Sequence, residues 1–160
     1  MKKLLAFVAV AGVSLFALTG CVGGTETLKC TNSTESGGFT IETDQTLIIK
    51  NKKVQSLDTL LTTTPNSTMA NYLDVYAETL ESETNGFGGL KNLTGVDYSA
   101  KTKDGKHVVE IKIDYTKVKE SEYSELNSSA KAMFTGYDEA VSAKKTQEEL
   151  ENQGYKCTLK

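Results

Sequence analysis

The sequence predicts a two-layer α+β domain, an antiparallel sheet meander with amphipathic helices packed on one face, and three observations carry that reading. Several segments alternate apolar and polar residues in the two-residue period of a half-buried strand. Others repeat apolar residues at helical spacing. The two kinds follow one another as βββ(β)-α-ββ-α-α-β, each with one apolar face, which is the pattern of helices covering one side of a sheet. With 160 residues and 38% of them hydrophobic, the chain has material for one core of ordinary size.

The first segment stands outside that fold. Met1-Lys2-Lys3 makes a positive start, and Leu4 to Leu18 is apolar apart from Gly12 and Ser14. That run is shorter than the roughly 20 residues of a membrane span, so residues 1–20 read as a secretory signal. It ends in Leu18-Thr19-Gly20-Cys21, which resembles the lipobox of bacterial lipoproteins: a large aliphatic residue, two small ones, and the Cys that is acylated and becomes the first residue after cleavage. Each buried methylene of an acyl chain contributes about 0.8 kcal/mol, so two or three chains on Cys21 anchor stably. The expected location is the outer face of the bacterial cytoplasmic membrane, with residues 21–26 as a tether and 27–160 as a single domain.

Within the domain the first strand surrounds Cys30, and Asn32 to Gly38 read as a turn. Phe39 and Ile41 then alternate with polar residues, and a loop at Thr43-Asp44-Gln45 is expected to set Ile41 opposite Leu47 and Phe39 opposite Ile49. Asn51-Lys52 sets Ile49 opposite Val54 and opens a fourth strand that runs to about Thr62. At Thr64-Pro65 the period changes. Met69, Tyr72, Leu73, Tyr76 and Leu80 recur at helical spacing, which predicts a helix over about 65–82 with Thr64 as cap and Pro65 in the first turn.

Asp104-Gly105 is a hairpin signal, and a two-residue loop there pairs Ala100 with Val109, Tyr98 with Ile111 and Val96 with Ile113. All six side chains point to one face; Val108, Glu110, Lys112 and Asp114 point to the other, which is expected to be wet. A helix capped near Ser121 carries Tyr123, Leu126, Ala130, Met133 and Tyr137 on one stripe and stops near Gly136. A last helix opens with a Thr146 to Glu149 capping box and ends at Gly154, before the final strand around Cys157.

With Cys21 committed to lipid, Cys30 and Cys157 form an even pair in a compartment that permits disulfides, and bonding them would pin the first and last strands together. The order of elements, the lipobox, the string Ile113-Asp114-Tyr115-Thr116-Lys117 and the closing string from Lys145 to Tyr155 together resemble the YehR-like family of small bacterial lipoproteins, whose biochemical function is unassigned. That resemblance implies the fold and the anchor but transfers no catalytic, cofactor or metal residue. The cysteine pair is not a hallmark it supplies.

All 18 basic residues are Lys, against 21 acids; loss of Lys2 and Lys3 with the signal leaves 16 − 21 = −5. An acidic chain without Arg argues against nucleic acid. The single histidine, His107, lies two residues past the hairpin turn and is expected to sit wet at the hairpin end, a poor candidate for a hydrolytic triad or a pH switch. Asn85-Gly86-Phe87-Gly88-Gly89-Leu90 follows a helix and lacks the Gly-Lys-Ser/Thr ending of a phosphate loop, so it reads as a flexible connection. The acids Glu120, Glu122 and Glu125, and Glu148, Glu149 and Glu151, lack the alternation of a calcium loop and read as solvated helix faces. Tyr72, Tyr76, Tyr98, Tyr123 and Tyr137 read as core residues ahead of a sugar-binding platform.

These readings lead to a monomeric, non-catalytic lipoprotein without cofactor or metal that binds a protein, a peptide or a cell-wall ligand. Two alternatives stand beside it. One is an envelope enzyme using a pair of carboxylates across a cleft. The other uses the signal itself: Val13 to Gly20 resembles the short apolar peptides that some Gram-positive bacteria release as mating pheromones.

Overall fold

The computed structural model describes residues 24–84 and 86–160; the expected signal peptide, Cys21 and the pheromone-like segment lie outside the described residues. Three tight hairpins generate most of the sheet. Gly37-Gly38 joins β1 (Thr25–Ser36) to β2 (Phe39–Lys50), Asn51-Lys52 joins β2 to β3 (Lys53–Pro65), and Asp104-Gly105 joins β4 (Val96–Lys103) to β5 (Lys106–Asp114). Both central residues of each turn have positive φ, the geometry whose twist matches the twist of the flanking strands. With β6 (Lys156–Leu159), the antiparallel sheet runs β4-β5-β3-β2-β1-β6.

The chain thus meanders only through β1, β2 and β3. β3 pairs with β5, which is where the order departs from a simple meander, and β6 returns to the far edge beside β1, where the expected cysteine pair puts it. The order follows from coverage: Val109, Ile111 and Ile113 of β5 are fully buried and need neighbours on both sides, whereas the inward residues of β4 are half-buried at an edge. The pairings within the second hairpin are those expected, with Val96, Tyr98 and Ala100 opposite Ile113, Ile111 and Val109.

The loop expected at Thr43-Asp44-Gln45 does not exist. β2 runs straight through it, so three strands precede the first helix, and Ile41 pairs with Thr34 and Thr63 while Leu47 pairs with Leu28 and Leu57. Gly37-Gly38 already supplies the reversal, and nothing forces a second one six residues later. Phe39, Ile41, Leu47 and Ile49 still share a face because all are odd-numbered residues of one strand; Gln45, between them, is buried as well. In β3 the apolar spacing breaks between Val54 and Leu57. A register shift at Ile48/Ile49 absorbs the extra residue, and the Gln55 carbonyl left at the irregularity accepts the Tyr115 N–H at 2.9 Å. β1 begins at Thr25, two residues before the expected start of the domain at 27.

On the covered face, cross-strand rows build the core. Leu28, Leu47, Leu57, Ile113 and Val96 lie in one row; Cys157, Cys30, Gln45, Thr59, Ile111 and Tyr98 lie in the next. Toward the Gly37-Gly38 end a further row reads Thr34, Ile41, Thr63, His107 and Thr102. The inner face is therefore apolar at the end where β1 starts and polar at the other.

Helix α1 (Leu73–Glu81), preceded by a 3-10 turn at Ala70–Tyr72, packs on β4 and β5. It starts eight residues later than expected. Pro65 ends β3, and the Asn66 side chain accepts the N–H groups of Thr68 and Met69, each at 3.0 Å, holding a turn before the helix. Leu73, Ala77 and Leu80 are its buried stripe; Tyr72, expected inside, is 58% exposed. The expected helix from Ser121 to Gly136 is broken into α2 (Glu120–Tyr123), α3 (Ser128–Lys131) and a 3-10 turn at Ala132–Phe134, because Asn127 interrupts it as an N-cap. Helix α4 (Ala143–Asn152) packs on β1 and β6. Its cap is Ser142, whose hydroxyl accepts the Lys145 N–H; Thr146, expected to cap, is buried inside the helix.

Candidate functional site

Two places concentrate polar chemistry. The first lies beneath α1. His107, expected at the wet hairpin end, is fully buried because α1 extends over that end of the sheet. Lys103 and Lys106 flank the two-residue turn as the hydrogen-bonded pair, so Thr102 and His107 form the next, closer pair, and the Thr102 hydroxyl sits 3.0 Å from His107 Nδ1. His107 Nε2 has no hydrogen-bond partner and faces Glu81 Oε1 at 3.8 Å, within ion-pair range but too long for a hydrogen bond. Burial holds the imidazole below its ordinary pKa, and Glu81 opposes that in part.

Around it, the hydroxyls of Thr59, Tyr76 and Tyr98 are also buried without a hydrogen-bond partner. Tyr76 stacks on Phe39 at 4.6 Å, with its hydroxyl toward Thr63 but not in bonding geometry. Tyr98 is pushed up to about 12 by burial and by the Glu81 charge, and Lys91 lies 5.2 Å from its ring centre and 3.8 Å from Glu81. Hydroxyl, imidazole and carboxylate thus stand in line as Thr102, His107 and Glu81, but the last contact is too long to orient a base. The cluster is a closed polar patch of the core.

The second place is open. A cleft of about 610 Å³ runs between the segment after α1 and the α2–α3 connection, lined among others by Glu83, Thr84, Asn92, Leu93, Glu122, Glu125 and Leu126. Asn127 builds it. Its side-chain oxygen accepts the Ser129 and Ala130 N–H groups, each at 3.0 Å, and its amide donates to the carbonyls of Glu83 and Gly86, so one residue caps α3 and ties it to the facing wall. That wall is the segment expected to be flexible. Phe87 and Leu90 are buried in the core, the Phe87 N–H donates to the Leu80 carbonyl at 2.7 Å, and a Cβ at Gly86 or Gly88 would lie 2.1 or 1.9 Å from a backbone oxygen of α1. The glycines serve close approach to α1; residue 85 lies outside the described residues.

Glu122 is a fixed anion on the cleft wall. Its carboxylate accepts the Thr94 N–H at 2.7 Å and the Thr94 hydroxyl at 3.0 Å and pairs with Lys119 at 3.4 Å; these hold it below the usual carboxylate range. Among the described residues no three His, Cys, Asp or Glu side chains are grouped to hold a metal ion. Tyr123 and Tyr137 are used in packing: Tyr123 stacks on Phe134 and Tyr137 on Tyr115, each pair at 4.9 Å, and the Tyr115 hydroxyl donates to the Met133 carbonyl at 2.6 Å.

Cys30 and Cys157 are register partners of β1 and β6 with sulfurs 1.99 Å apart, a disulfide-capable pair. Thr27 and Lys160 exchange both backbone hydrogen bonds, so alternation makes Cys30–Cys157 a non-hydrogen-bonded pair, where side chains approach most closely.

Comparison with known proteins places the fold among small bacterial proteins. The NMR structure of a protein from Streptococcus pneumoniae TIGR4 is similar over 91% of this chain and 92% of its own, with TM-score 0.54 and 16% identity. That of the E. coli YehR protein is similar over 81% and 89%, with TM-score 0.52 and 18% identity. No curated protein matches the chain. A family model described as a protein of unknown function, DUF1307, matches residues 32–156, most of the chain, with β2 to β5 entire. The chain belongs to that family, in keeping with its resemblance to the YehR-like proteins.

Proposed function

We propose that this is a lipid-anchored protein of the outer face of the bacterial cytoplasmic membrane that works by binding, and that its binding surface is the cleft between residues 83–93 and 122–127. The observation that carries the reading is the Glu122 carboxylate, fixed on the wall of an open cleft of about 610 Å³ with Glu83 and Glu125 beside it and Leu93 and Leu126 as apolar surface. A carboxylate-lined wall with an apolar floor suits a peptide or cell-wall fragment that carries an ammonium group next to an aliphatic stem. The carboxylate-pair enzyme needs one acid that keeps its proton near neutral pH. Glu122 is held in the opposite direction and so does not serve as that acid.

The test is NMR titration of the folded protein with a Gly-Lys-Gly-Lys tetrapeptide and with its lysine-acetylated form. Shifts confined to residues 83–93 and 122–127, weakened by acetylation and by Glu122→Gln, are expected. Shifts elsewhere, or equal shifts for both peptides, reject the cleft.

A further inference from the structure

The tether is short enough to decide which end of the sheet faces the membrane. Resting on the proposed anchor at Cys21, four peptide units reach Thr25, a span of at most about 14 Å when fully extended. Thr25 is the first residue of β1 and pairs with Lys50 of β2, which pairs with Lys53 across the Asn51-Lys52 turn. The β2–β3 turn therefore lies beside the point where the tether enters the fold. The Asp104-Gly105 turn belongs to the opposite end, roughly 35 Å away along strands of this length.

That near turn reads Lys50-Asn51-Lys52-Lys53, and none of its three ammonium groups is in an ion pair among the described residues. Just past the end of β5, Lys117 pairs with Asp114 at 2.7 Å and Lys119 with Glu122 at 3.4 Å. Lys52 also holds φ +61, the left-handed conformation that glycine adopts at no steric penalty and that a lysine adopts against its preference. A glycine would make the turn more easily; the chain places a charge there instead. Val141 donates its N–H to the Lys52 carbonyl at 2.7 Å, so the turn is fastened to the body of the domain.

We infer that the β2–β3 turn is a membrane-contact surface, in which Lys50, Lys52 and Lys53 engage anionic phospholipid headgroups and stand the domain upright on the bilayer. A lysine acts on an anionic surface only within about a Debye length, near 8 Å at physiological salt, and the short tether keeps the turn within that reach. Glu26, Asp138 and Glu139 lie toward the same end and limit the effect to the turn itself. The Gly37-Gly38 and Asp104-Gly105 turns then point away from the membrane.

The full lipidated protein, extracted and reconstituted, tests this by lysine acetylation read by mass spectrometry in vesicles of phosphatidylcholine alone or with phosphatidylglycerol. Lys50, Lys52 and Lys53 should react several-fold more slowly in the anionic vesicles, by about fivefold per lysine if each gains the usual surface attraction, and the difference should vanish at high salt. Lys103 and Lys106 should react equally in both. Lys50→Glu with Lys53→Glu should abolish the protection of Lys52. Protein that floats with the vesicles but shows no lipid-dependent protection, or protection of Lys103 and Lys106, overturns the orientation and leaves the anchor standing. Protein that does not float overturns the anchor and this inference with it.

Discussion

The two ends of the covered sheet face differ in kind. At the end where β1 starts, Leu28, Leu47, Leu57, Ile113 and Val96 form an apolar row closed by packing alone. Under α1 the same face carries Thr59, Thr63, His107 and the half-buried Tyr98, with Tyr76 of α1 above them, and four polar atoms there have no hydrogen bond among the described residues. A buried polar group without a partner destabilises by about 1 to 3 kcal/mol, so the second region is held in place by what surrounds it. Burial is a property of the whole layer; satisfaction is local, and only the first region has both.

Breaking the covalent staple should have the largest effect. Bonding Cys30 to Cys157 closes 127 residues, and the chain-entropy account assigns such a loop roughly 4 to 5 kcal/mol, with measured losses spanning about 2 to 5. Chemical denaturation of the protein before and after reduction measures it. Recovery of two free, alkylatable thiols from protein prepared under oxidising conditions would remove the bond and leave β6, four residues long at an edge, held by pairing with β1 and packing against α4.

A pair of substitutions in one cross-strand row sharpens the contrast. Ile111 and Thr59 are register partners, both almost fully buried. Ile111→Ala should lose about 2 to 5 kcal/mol, as large-to-small changes in packed cores do. Thr59→Val keeps the shape and removes a hydroxyl that bonds to nothing, so it should be neutral or stabilise by about 1 kcal/mol. Urea unfolding of both variants decides. A clear loss for Thr59→Val would mean that its hydroxyl has a partner, such as an ordered water.

The apolar region was legible in the sequence because period-2 alternation and the Asp104-Gly105 turn dictate facing and register together, and every pair expected in that hairpin forms. The β2 error came from reading Thr43-Asp44-Gln45 as a turn by its polarity, when its odd-numbered positions continue the inner face and Gln45 is buried. His107 was misplaced for a related reason. Distance from a turn says how near a residue is to the end of a hairpin, but whether that end is wet depends on where α1 lies, and no local pattern states that. The cleft was hidden behind an apparently continuous helical stripe. Asn127-Ser128-Ser129, a capping string in its middle, was the available signal that the helix breaks there.

The smallest effect expected is titration of His107, because its lowered pKa is the remainder of two opposed causes, burial and the facing Glu81 charge. In the unfolded chain the imidazole binds its proton near 6.5; in the fold it binds only at lower pH. Between those values the unfolded state holds more protons, so stability rises with pH through that window, is fully present above about 6.5 and is lost as pH falls toward the folded value. The groups facing the ring are Glu81 from α1 and the Thr102 hydroxyl from β4, with Lys91 beside Glu81. Urea midpoints from pH 8 to 5 should fall more steeply for the wild type than for His107→Gln, whatever the absolute stability of the variant. Glu81→Gln removes the cause that raises the pKa and should steepen the dependence. A wild-type slope equal to that of His107→Gln would mean that the imidazole titrates alike in both states, and that the polar end of the sheet opens to water more than its closed packing under α1 requires.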